Sequence, residues 1–146
     1  MDNRGIIITS DSIFSLIIIF IILATVTNIS ANKSGSQLDL LMTNKAQDTM
    51  ELMVNYRDVS TNKTIIETVA TELKISNNQK SGISNAGKVV GEFLNKTLDS
   101  TNYNLIEVNK LNGTIIASNA DINQAKNIST AIRSYGGYTF RLYLWD

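Results

Sequence analysis

The feature that most constrains this chain is its N-terminal run "IIITSDSIFSLIIIFIILATV", residues 6 to 26, almost continuous hydrocarbon apart from the polar patch "TSDS" near its start. From Ile13 to Val26 there are 14 residues broken only by Ser15 and Thr25, the size of a signal-peptide core. From Ile6 the run reaches 21 residues, about 31 Å at 1.5 Å per residue, and matches a bilayer core if Asp11 is accommodated. Five residues into such a helix, Asp11 lies about 7 to 8 Å below the surface, where water and headgroups reach it and insertion costs less than at the midplane. A local role competes with this one. Ser10 or Asp11 can serve as the N-cap of a helix that starts at Ser12, accepting hydrogen bonds from its free amides.

Conventional secretion is weakly signalled. The stretch after the apolar run, "ATVTNISANKS", has scattered Ala and Ser rather than an A-x-A-like site, and Arg4 with the amino terminus is offset by Asp2. Flanking charge does not orient the helix either, because Arg4 and the terminus on one side face Lys33 and Lys45 on the other.

"RGIIITSDSIFSLIIIF", beginning at Arg4, resembles the N-terminus of archaeal type IV pilin-like surface proteins of the methanogen type. Their leaders read roughly Arg-Gly-Phe-Ile-Phe-Thr-Leu-Asp-Ala. The resemblance covers about 20 of the 146 residues. It implies a leader over residues 1–5 of the class III signal-peptide kind, with a membrane peptidase acting after Arg4-Gly5 and Ile6 as the mature start. It also implies that a hydrophobic helix over 6–27 holds the subunit in the membrane and packs into a filament core. Pilins proper carry a Glu where this chain has Ser10; here the acid, Asp11, stands one residue later. A carboxylate at the start of a helix in a low-dielectric bundle can pair with the free amino group of a neighbouring subunit, and breaking that pair leaves a costly unpaired charge.

Beyond Val26 the composition changes. Residues 28–37, small and polar with Gly35, read as a linker or joint, and the β-branched and Ser/Asn-rich residues there predict a break near Gly35. The rest, residues 38–146, is enough for one compact domain. Leu38, Leu41, Met42, Ala46, Met50, Met53 and Val54 recur at helical spacing, so 36–56 reads as an amphipathic helix. Ile66, Val69 and Leu73 predict a helix over 62–75, and Ile83, Ala86, Val90, Phe93 and Leu94 another over 78–98. In the latter, Gly87 and Gly91 mark close helix packing, since the segment is too polar to span a membrane.

The period then shortens. "YNLIEVN" and "TIIAS" are strand-like, and Asn112-Gly113 between them signals a hairpin. "NADINQAKNISTAIRSYGG" offers Asp121 as a cap, Ile122, Ala125 and Ile128 or Ile132 as an apolar face, and Gly136-Gly137 as a stop, which predicts a helix. "YTFRLYLWD" closes as a strand with Tyr138, Phe140, Leu142 and Leu144 on one face. The expected fold is therefore α+β in the order α-α-α-β-β-α-β. Its sheet has three antiparallel strands in the order 2-1-3, with helices on one face.

Several functions are excluded or disfavoured by residue type. Thirteen basic and 13 acidic residues are spread along the chain, which gives no field for nucleic acid. There is no Cys and no His, so thiol nucleophiles, disulfides and the commonest general base and metal ligand are absent. The acids, among them Asp39, Asp48, Glu51, Asp58, Glu92 and Glu107, show no paired or metal-ligand spacing and are expected mostly on solvated faces. Neither catalysis nor a cofactor is expected. Six N-x-S/T sequons occur; Asn112 is explained as a turn residue and Asn28 lies close to the membrane, leaving Asn32, Asn62, Asn95 and Asn127 as N-glycosylation candidates.

The expected function is a non-catalytic, pilin-like surface subunit in structure or adhesion, single-pass in the cell membrane, with residues 38–146 outside. Its partners are the membrane and further copies or other pilin-like subunits in a homo-oligomer or filament. One competitor is an anchored ligand-binding domain, because "LIEVNKLNGTIIAS" resembles the hairpin of extracytoplasmic PAS-like sensor domains. Such a sensor is expected to need a separate output chain. The other competitor is a conventionally secreted protein.

Overall fold

The computed structural model describes residue 37 and residues 39–146. The expected leader, the hydrophobic helix and the joint at Gly35 lie outside the described residues, among which no helix is long and apolar enough to cross a membrane. Residues 39–146 form one compact unit.

The first helix, α1, covers residues 39–55 and buries Ala46, Met50 and Met53 completely, with Met42 and Val54 half-buried beside them. After it, Asp58 holds the turn: its Oδ1 accepts from the Ser60 and Thr61 amides at 2.8 and 3.0 Å. Thr64 then caps helix α2, Ile65–Ile75, its hydroxyl accepting from the Glu67 amide at 3.2 Å. Ile65, Ile66, Val69, Ala70 and Leu73 form the buried stripe of α2. Asn77 and Asn78, both at positive φ, end it and turn the chain into α3, Lys80–Thr97. In α3 the buried positions are Gly82, Ala86, Val90 and Leu94, one per turn, and this face lies against α2 and the sheet.

The sheet has four antiparallel strands: β1 Asn102–Glu107, β2 Thr114–Ser118, β3 Ser129–Tyr135 and β4 Tyr138–Trp145, in the order β2-β1-β4-β3. As expected for a 2-1-3 arrangement, the last strand pairs with β1 on the side away from β2. A fourth strand then adds at the edge.

That fourth strand corrects the helix expected between Asp121 and Gly136-Gly137. Only Ile122–Gln124 is helical, as one 3-10 turn, with Asp121 accepting from the Asn123 amide at 3.0 Å. From Ser129 onward burial alternates: Ser129 and Ala131 are buried, Thr130 and Ile132 exposed. That is a period of two, and it suits the β-branched Thr130 and Ile132. Gly136 and Gly137 adopt φ of 58° and 82°, and the pairing of Tyr135 with Tyr138 makes them the two-residue turn of a hairpin, not a helix stop.

Register fixes two faces. Tyr103, Leu105 and Glu107 align with Leu144, Leu142 and Phe140 on the helix side, continued by Ser129 and Ala131 on β3. Leu105, Phe140, Leu142 and Leu144 are fully buried there, each stabilising the fold by roughly 1.5–3 kcal/mol. The sequence-predicted face of the last strand is therefore the core of the domain.

Candidate functional site

The N-terminal candidates Arg4, Gly5, Ile6 and Asp11, together with the sequon residue Asn32, lie outside the described residues. The other three sequon residues are exposed and lie on different elements. Asn62 is exposed at φ 54° in the turn before α2, its carbonyl accepting from the Arg57 guanidinium at 2.8 Å. Asn95 is exposed on α3, and its Oδ1 accepts from the Tyr103 hydroxyl at 3.0 Å. A glycan would attach at Nδ2, leaving that oxygen in place. Asn127 is exposed in the connection leading into β3.

One acid departs from the solvated reading. Glu107 closes β1 with its side chain fully buried. Its Oε2 accepts from the Lys110 and Leu111 amides at 2.8 and 2.6 Å, and its Oε1 from the Asn109 and Thr139 amides at 3.3 and 3.0 Å. The carboxylate thus ties the β1–β2 turn to β4, and Asn109 reinforces the tie by donating to the Gly137 carbonyl at 3.0 Å. With four amides pointing at it, this group is committed to holding backbone and has no free lone pair directed at solvent for general-base work. Lys110 lies over the Tyr138 ring, 4.4 Å from its centroid. Burial and the Glu107 charge push the Tyr138 hydroxyl above its ordinary pKa. The sequence trace of Glu107 is slight: an acid ending an apolar strand just before a long polar turn.

Two further acids among the described residues make defined contacts. Glu51 pairs with Arg133 of β3 near the surface, and that guanidinium holds its carboxyl below the ordinary range. Asp58 is lowered by the Ser60 hydroxyl and the turn amides it accepts from. Among the described residues no cluster of three or more acids or other ligand-type side chains could hold a metal.

A groove of about 560 Å³ opens where the end of α1, the Asp58 turn and α3 meet, lined by Leu52, Tyr56, Ile65, Val89 and Phe93 with Asp58 and Glu92 at its edges. The Tyr56 and Phe93 rings lie 6.3 Å apart within it. Ile65 at its floor belongs to the core, and Val89 and Phe93 pack against that core. No family model matches the chain, and neither the curated proteins nor the solved structures contain a match.

Proposed function

We propose that this chain is a membrane-anchored, outward-facing, pilin-like structural subunit without catalytic activity. Its N-terminal helix anchors or assembles, and the α+β domain is displayed at the cell surface. The observation that carries the reading is the character of α1. Its later turns are sunk in the domain through Ala46, Met50 and Met53, whereas Leu40 and Leu41 in its first turn are 60% and 66% exposed. An apolar, exposed helix start that follows a hydrophobic segment suits a stem that is covered by neighbouring subunits. The Arg4-Gly5 leader and the run from Ile6 supply the anchor, and a surface location would give the exposed Asn62, Asn95 and Asn127 access to glycosylation.

A ligand-binding reading draws on the groove between Tyr56 and Phe93. It draws less on the sheet, because Leu105, Phe140, Leu142 and Leu144 occupy the space beneath the helices. Mass spectrometry of the mature N-terminus tests the proposal. A start at Ile6 supports the pilin-like reading, an intact Met1 leaves a plain anchor, and a start near Asn32 overturns both.

A further inference from the structure

The sheet face turned away from the helices carries a row of side chains defined by register. Ile115 pairs with Ile106, Ile106 with Arg141, and Arg141 with Ile132 across the four strands. Ile115 and Ile132 are 52% and 43% exposed. Arg141 donates to the Tyr143 hydroxyl at 3.2 Å, but among the described residues it has no carboxylate partner, and its Nε is buried without a hydrogen bond. A guanidinium set among isoleucines with only a neutral partner is incompletely compensated.

The outward side of α1 carries the complementary pattern. Leu41, Asp48 and Leu52 recur at helical spacing on the side away from Ala46, Met50 and Met53; Leu41 and Leu52 are 66% and 46% exposed, and Asp48 is exposed. Along the helix Asp48 lies about 6 Å from Leu52 and about 10.5 Å from Leu41. Across the sheet Arg141 lies about 4.8 Å from Ile132 and about 9.6 Å from Ile115. Apolar, charged and apolar positions therefore match in order and nearly in spacing, with opposite charges at the centre.

We infer that the partner for this sheet face is a second copy of the chain. The outward side of α1 in one copy packs on the Ile115–Ile106–Arg141–Ile132 row of the next, and Asp48 meets Arg141. This deepens the subunit reading and rests on it. The two patches are different surfaces on different elements of the domain, a helix and the outer sheet face, and α1 meets β3 along its flank, where the Thr43 and Ser129 hydroxyls are 3.3 Å apart and Glu51 pairs with Arg133. The contact is consequently head-to-tail and extends from copy to copy. A symmetric contact is disfavoured at both patches, since it would set Arg141 against Arg141 or Asp48 against Asp48.

Because the chain has no cysteine, introduced thiols are unique. Full-length Leu52→Cys/Ile132→Cys in native membranes, treated with a short bis-maleimide, is expected to give a ladder of dimers, trimers and higher species. Each single variant alone should give none, and the two single variants co-expressed should give dimers only. Asp48→Arg or Arg141→Glu placed on the double-cysteine background should each reduce the ladder at least tenfold, and the two together should restore it. Absence of a ladder, self-linking of either single variant, or failure of the charge swap to restore it overturns the inference. Membrane fractionation and N-terminal mass spectrometry of the same samples keep the two ideas apart. A chain anchored and starting at Ile6 without a ladder loses this interface alone, whereas a ladder from a chain released near Asn32 keeps the interface and loses the anchored subunit.

Discussion

At the residue scale, Glu107 is the buried polar side chain that joins the β1–β2 turn to β4. A fully buried carboxylate is expensive unless its lone pairs are matched, and here four amides from the β1–β2 turn and β4 match them. Glu107→Gln removes one acceptor oxygen and turns an NH2 toward amides that themselves donate. It should destabilise the chain by roughly 2–4 kcal/mol, measured as a lower denaturant midpoint in detergent. Little of this was legible beforehand, because the Thr139 amide is 32 residues away and adjacency in sequence says nothing about it. Glu51 behaves differently. Arg133 lowers its pKa from an ordinary 4.5, so the pair contributes stability above that pH and loses it as pH falls through the lowered value. Glu51→Gln should therefore flatten the fall of melting temperature below about pH 4.5, where the native chain loses the pair. An unchanged acid slope would mean that the pair is too well solvated to matter.

Elements were legible where one periodicity ran unopposed. The three helices and the first, second and last strands follow from patterns that only one structure satisfies, such as the alternation Tyr138, Phe140, Leu142, Leu144. β3 failed because Ile122, Ala125, Ile128 and Ile132 fit a helical face as well as Thr130 and Ile132 fit a strand. Its buried residues, Ser129 and Ala131, are too small to advertise a core position. The glycine spacing on α3 predicts helix–helix packing, whereas the close contact, at Gly87, is with a strand. A Cβ at Gly87 would come within 2.5 Å of the Ile116 carbonyl oxygen, whereas one at Gly91 would find its nearest neighbour, the Tyr103 hydroxyl, at 3.8 Å. Alanine gains about 1 kcal/mol of helix propensity at either site. At Gly91 that gain stands, so Gly91→Ala should raise stability by about 0.5–1 kcal/mol. At Gly87 the clash with backbone costs about 1–3 kcal/mol, so Gly87→Ala should lower the thermal midpoint despite the better helix former. Equal shifts in both variants would show that β2 yields to α3.

At the scale of the whole molecule Asp11 has two candidate roles, cap and charge, and they separate by chemistry. Asn caps a helix about as well as Asp, since both present an oxygen to the first free amides. Only Asp carries the charge that could pair with a neighbouring amino terminus in a low-dielectric bundle. If the chain is the proposed pilin-like subunit, Asp11→Ala should leave membrane attachment intact, because one shallow polar residue fewer makes insertion easier, and should abolish filaments. Asp11→Asn is the sharper test: it keeps a capping oxygen and removes the charge. If pairing sets the register of assembly, Asp11→Asn fails to assemble as fully as Asp11→Ala, while membrane fractionation shows both variants anchored. If Asp11 is a cap, Asp11→Asn forms filaments indistinguishable from the native chain by electron microscopy, and Asp11→Ala loses them only as far as its helix start frays. Full assembly of both variants would refute any pairing role for Asp11.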